Sequence, residues 1–277
     1  ETIHHNIGML TDLRVFDIAR NKIDGESMHG IGNCGSITKL NICCNCIDRL
    51  PDSFVQLRGL NRLDASDNVI KHLPDRLFVS FPNMNYLDLH NNQIEALPMS
   101  VFAMRKLVTF DISFNLIHQA IPKQLEQFPL LETFFMSYNQ ITSLPDSIST
   151  LTNLQVLEVE SNLLTRFPTT IGNCKNLKRV TTKLNKIEIK PHGLLELPNL
   201  ISWDISWNHE FVSNYIDWKE KENAYRKDVD IMSVAFYHKL LHRSRTLLGF
   251  TDERKDLATI HVDSPPLDLP DIDNTSI

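Results

Sequence analysis

Apolar residues recur along this chain at one fixed spacing. The stretch Leu87-Asp88-Leu89-His90-Asn91-Asn92-Gln93-Ile94 is matched by Leu157 through Leu164. In Leu154-Gln155-Val156-Leu157-Glu158-Val159 the last half alternates apolar and polar, which predicts a brief strand with one buried face. An asparagine follows each such stretch, at Asn21, Asn45, Asn68, Asn92, Asn115, Asn139, Asn162, Asn185 and Asn208, in steps of 23 or 24 residues. Proline keeps a second phase of the same period at Pro51, Pro74, Pro98, Pro122, Pro145, Pro168 and Pro191. Two residue types locked to one period define a repeat, and a period in this range means a stacked array.

A single repeat cannot fold alone. About seven buried apolar side chains at roughly 1.5–3 kcal/mol each do not offset ordering 23 residues at roughly 1.5 kcal/mol per residue. Stacking covers both sides of each leucine layer and pairs neighbouring strands, so the chain is predicted to form a solenoid with a parallel inner sheet. Where each strand ends, the asparagine amide is suited to satisfy buried backbone groups of the turn, a structural role for all nine. Two repeats depart from the pattern. Thr182 and Lys190 stand where leucines are expected, and Gly25 to Met28 replace the Leu-Pro step.

The pattern L-x-x-L-x-L-x-x-N-x-L, followed by L-P-x-x-I/L, resembles the 23-residue class of leucine-rich repeats over residues 3 to about 211, in nine turns. It resembles intracellular scaffolds of the Ras-suppressor and Erbin/Scribble type, which share the Leu-Pro step and lack cysteine-rich caps. The resemblance implies an α/β fold: a curved horseshoe solenoid with a parallel concave sheet. It further implies a cytoplasmic, non-enzymatic interaction scaffold whose partner is a protein of small-GTPase or cell-polarity signalling. Similar arrays also precede phosphatase, kinase or cyclase domains, so a regulatory segment of a longer enzyme is the alternative.

Three regions are expected: repeats over 1–211, a cap with a helix over 212–250, and an acidic, proline-containing disordered tail over 251–277. Ile3, Ile7, Leu10 and Leu13 match Leu144, Ile148, Leu151 and Leu154, so the chain is read as starting mid-repeat, as a fragment would. Residues 228–248 carry Ile231, Val234, Ala235, His238 and Leu241 along one helical face. The net charge of −6 comes mostly from the tail, where seven acids oppose Arg254 and Lys255. No global pull toward nucleic acid follows from this balance, and no apolar run is long enough to span a membrane.

Chemistry has little to stand on. Cys43, Cys44 and Cys46 are dense, yet no Cys-x-x-Cys pair or four-ligand zinc set exists. Cys34 and Cys174 occupy matching Ile-Gly-Asn-Cys steps where a buried apolar residue is expected. No phosphate loop, nucleophile elbow or kinase set is present, so neither catalysis nor a cofactor nor a bound metal is expected.

The candidate partner site lies on the strand face turned away from the leucines. One column reads Asp17, Asn41, Asp64, Asp88, Asp111, Phe135, Glu158, Thr181 and Asp204. Its acids suit a basic partner; equally, the family consensus favours Asp here for strand and turn geometry. The column beside each ladder asparagine reads Arg20, Cys44, Asp67, Asn91, Phe114, Tyr138, Ser161, Leu184 and Trp207. Phe114, Phe135 and Tyr138 are expected as an exposed aromatic centre. Asp88, Asp111, Glu158, Glu160, Arg179 and Lys183 are expected as its charged rim. The alternative is that the bulky residues beside the asparagines tuck under the turn.

Overall fold

The computed structural model describes residues 3–189 and 191–208. The expected cap over 212–250, its helix, the tail and Lys190 lie outside the described residues. Nine strands of three residues each form a single parallel sheet in chain order. They are β1 (Val15–Asp17), β2 (Lys39–Asn41), β3 (Arg62–Asp64), β4 (Tyr86–Asp88), β5 (Thr109–Asp111), β6 (Thr133–Phe135), β7 (Val156–Glu158), β8 (Arg179–Thr181) and β9 (Ser202–Asp204). Every strand residue lies opposite its counterpart one repeat on, as in Arg62↔Tyr86 and Asp111↔Phe135. The leucine-rich solenoid expected from the repeat is the fold observed.

Return segments opposite the sheet are mostly short 3₁₀ turns, among them Asp52–Gln56, Met99–Ala103, Lys123–Gln127, Asp146–Thr150 and Thr169–Asn173. Each of these five follows a proline, whose fixed φ suits the entry and whose missing N–H would have no partner there. One four-residue α-helix, α1 (His192–Leu195), takes this place before β9. In the first repeat, where the Leu-Pro step is missing, a longer turn over Glu26–Asn33 buries Met28 completely. The departure is thus absorbed by a methionine, whose unbranched side chain fills irregular space.

The core is a continuous column between sheet and turns. The middle residue of each strand from β2 to β8 points into it, from Leu40 through Leu63, Leu87, Phe110, Phe134 and Leu157 to Val180. Phenylalanines thicken it at the centre: Phe110 stacks on Phe134 at 5.4 Å, and Phe128 meets both Phe102 and Phe110. Thr182, the polar intruder, is fully buried, and its hydroxyl donates to the Asp204 carbonyl at 3.1 Å. A buried hydroxyl is tolerated when so bonded. Cys34 and Cys174 are also fully buried, each thiol 3.2 Å from a carbonyl of the preceding turn.

Candidate functional site

The asparagine ladder frames the sheet face. Asn115 donates to the carbonyls of Ser113, Ile112 and, one repeat back, Leu89, while its oxygen accepts the Ile94 N–H at 2.9 Å. Asn45, Asn68, Asn92, Asn139, Asn162, Asn185 and Asn208 repeat this four-bond pattern. Asn21, in the first repeat, bonds only the Ile18 and Ala19 carbonyls and is exposed. Each later asparagine therefore fastens its own turn and the turn before it.

The acidic column has a backbone task. Asp17, Asn41, Asp64, Asp88, Asp111 and Asp204 each accept the N–H two residues on, closing the strand's end. Asp88 and Asp111 are buried rather than presented as an open rim, at 0% and 2% exposure. Phe135 needs the same correction. It is only 3% exposed, on the side of β6 away from Phe134 and in register between Asp111 and Glu158. Alternation along a strand tells which face a side chain takes; whether that face is covered depends on its surroundings.

Burial shapes the electrostatics of this face. Desolvation, then the charge of Asp88, pushes the Asp111 carboxyl up to about 7, against the opposing pull of His90 and the Ser113 hydrogen bonds. Desolvation likewise carries Glu158 to about 7 although Arg179 opposes it. Burial alone would lower the pKa of His90. The charge and hydrogen bond of Asp88, with Asp111 and Asp67 behind, outweigh it and hold the imidazole near 10. His90 Nδ1 lies 2.7 Å from Asp88 Oδ1, and Asp88, His90 and Asp111 bring one ligand atom each within 4.8 Å of one another. Such a set suits a divalent cation. The raised pKa of His90 places a positive charge among these carboxylates.

The other column is the exposed one, and its backbone is unusual. Arg20, Cys44, Asp67, Asn91, Phe114, Tyr138, Ser161, Leu184 and Trp207 all have φ between 51° and 59°. This left-handed region costs an ordinary L-residue roughly 1–2 kcal/mol, and bulky side chains are rare in it. Four of the nine are nonetheless large and apolar, and they stand exposed: Phe114 49%, Tyr138 41%, Leu184 42% and Trp207 71%. Phe114 and Tyr138 stack with ring centroids 4.3 Å apart and planes 9° from parallel. They do not tuck under the turn. The left-handed backbone was not legible in the sequence, because Phe, Tyr, Leu and Trp carry no preference for it.

Charged groups beside this row are paired. Tyr138 donates its hydroxyl to Glu160 Oε1 at 3.2 Å, and Lys183 lies 3.8 Å from that oxygen. Arg179 Nε faces Glu158 Oε1 at 3.1 Å, both largely covered. Burial, then the charge of Glu160, raises the Tyr138 phenol, against a hydrogen bond from the Ser161 side chain. Of the residues expected as the site, the structure brings Phe114, Tyr138, Glu160 and Lys183 together as accessible surface. Leu184 and Trp207 extend the row.

Repeat period, parallel sheet, ladder and exposed row are the attributes of a leucine-rich repeat array. The leucine-rich repeat family profile matches residues 11–70, 66–117 and 105–164, more than half the chain, and the chain belongs to that family. Among curated proteins it is similar to the volume-regulated anion channel subunit LRRC8E of Xenopus laevis, 31% identical over 80 residues. That stretch is 28% of this chain and 10% of the channel subunit. A leucine-rich repeat protein of Leptospira interrogans has a similar structure at 24% identity and a TM-score of 0.65, over 75% of this chain and 58% of that one. The plant peptide hormone receptor RGFR1, solved in complex with RGF2, is similar at 27% identity and a TM-score of 0.61, over 75% and 38% of the two chains. The chain thus spans less than two thirds of each. Among the described residues no helix is long and apolar enough to cross a membrane.

Proposed function

We propose that this array is a non-enzymatic protein-interaction scaffold whose partner lands on the row Phe114, Tyr138, Leu184 and Trp207. One observation carries the reading: at these four positions both solvent exposure and left-handed backbone oppose a large apolar side chain, yet these four repeats keep one. Strain and exposed apolar surface held together mark sites that something else covers. A preformed row also binds without the cost of ordering itself. A plant receptor of similar fold in complex with RGF2 supports a protein or peptide as the ligand class. The Leu-Pro repeat, by its resemblance to Ras-suppressor and Erbin/Scribble scaffolds, supports a cytoplasmic setting in small-GTPase or cell-polarity signalling.

The test uses proximity labelling with the full chain and with Phe114→Ser/Tyr138→Ser. Both proteins should melt within a few degrees of each other, since neither ring is part of the leucine core. Partners labelled by the wild type should vanish with the variant; an unchanged set would defeat the reading. A second reading, a regulatory segment of a longer signalling enzyme, draws on the resemblance to arrays that precede phosphatase, kinase or cyclase domains. The full open reading frame decides between them: a catalytic domain in it favours the second.

A further inference from the structure

Among the described residues, the sheet face carries one ring–carboxylate pair with a guanidinium on the ring and a second pair with none on its ring. On β3 and β4, the Arg62 guanidinium lies over the Tyr86 ring at 3.5 Å from its centroid. The Tyr86 hydroxyl donates to Asp88 Oδ2 at 2.9 Å. Ring, carboxylate on its hydroxyl and guanidinium on its face make a three-part unit in which the cation is attracted to both the π-face and the nearby negative charge.

Tyr138 repeats two of the three parts. Its hydroxyl is held by Glu160, and Phe114 covers one ring face in a nearly parallel stack. The stack runs along the repeat direction, so its next place, about 4.8 Å further on by strand spacing, belongs to the following repeat. There the equivalent residue is Ser161, half-buried and too small to cover a ring. Beyond it stands Leu184. The row is therefore notched at Ser161, with a tyrosine face as one wall, a leucine as the other and Glu160 beside it.

The carboxylate beside the notch suits a cation. Burial holds Asp111 and Glu158 near 7, so the charge next to the notch is that of Glu160, and the flanking bases Arg179 and Lys183 each face one of the glutamates. Lys183 is the competitor for Glu160, but at 3.8 Å and about one-third exposed its flexible side chain has room to withdraw. A planar guanidinium fits a flat notch between ring and aliphatic wall better than a compact, strongly hydrated ammonium does.

We propose that the notch above Ser161, between Tyr138 and Leu184 and beside Glu160, receives an arginine side chain of the partner protein. This rests on the reading of the exposed row as the binding surface. The probe is a display library of random twelve-residue peptides panned on the full chain, keeping binders that release from Phe114→Ser. These should carry an arginine whose replacement by citrulline, which keeps the shape and loses the charge, weakens binding tenfold or more. Ser161→Tyr should weaken them equally, by extending the stack into the notch. In Glu160→Gln, which keeps the side chain's shape, the citrulline penalty should shrink to a few-fold. That variant also serves should Ser161→Tyr fail to fold. Peptides that need Phe114 yet tolerate citrulline, or that are acidic, would overturn the arginine notch and leave the binding surface standing. A library with no Phe114-dependent binder would overturn both.

Discussion

Replacing Asn115 by alanine is the sharpest test of how the repeats are joined. The substitution removes three donor bonds and one acceptor bond. The three carbonyls are not stranded. Leu89 O keeps the Asn92 side chain, Ile112 O keeps the Asn139 side chain, and Ser113 O keeps the Asn91 N–H. Ile94 N–H is the one group left without its acceptor, inside a buried turn. An orphaned buried donor costs about 1–3 kcal/mol, and three weakened but surviving carbonyl bonds with a small void add about 1 kcal/mol more. Asn115→Ala should therefore destabilise the array by about 2–4 kcal/mol. Asn21→Ala provides the internal control: exposed, and bonded only within its own turn, it should cost below about 1 kcal/mol. Urea denaturation followed by circular dichroism, with both variants measured side by side, reads the difference. Equal losses for Asn115→Ala and Asn21→Ala would refute the claim that the ladder works by linking one repeat to the one before.

Leu184→Asn should raise stability by about 0.5–1 kcal/mol, because asparagine tolerates the 54° φ that leucine resists; a lower melting temperature would show that Leu184 packs rather than displays. Folded Asp111 titrates near 7 instead of 3.8, so it binds protons more tightly than the unfolded chain does, and stability attributable to it falls as pH rises from about 4 to about 7. In Asp111→Asn that part of the pH dependence should disappear from denaturation curves, and an unchanged slope would contradict the assignment. For cysteine, a thiol reagent should label exposed Cys46 quickly, whereas Cys174, buried and pushed up to about 11, should react only on unfolding. Equal labelling rates in the native protein would count against a buried Cys174.

The repeat was legible because a covalent period needs no tertiary knowledge. Asn92 and Asn115 stand 23 residues apart whatever surrounds them, and stacking is the one way for such units to bury their leucines. The missing Leu-Pro step near Gly25 was visible too, although not that Met28 would fill the gap. The sheet face was less legible. For Asp88 and Asp111 the family preference for strand-closing carboxylates was one of two open readings, and the bonds to His90 N and Ser113 N decide it. Phe135 misled because its column alternates outward, and outward was equated with exposed. Phe114 and Tyr138 are exposed, as expected, but the stack between them depends on a turn in the backbone that no local propensity announces.

The ladder also bears on how such a chain changes length. Each asparagine from Asn45 to Asn208 touches its own repeat and its predecessor through the same four bonds, so the joint between any two of these neighbours is chemically interchangeable with the next. Duplicating or excising one whole 23- or 24-residue unit recreates an equivalent seam, and no other joint is disturbed. The surface row does not share this indifference. An inserted unit between β6 and β7 would move Leu184 a full strand spacing, about 4.8 Å, away from Tyr138. On the proposed reading of the row as a binding surface, copying errors in such a gene are nearly silent for folding and loud for recognition.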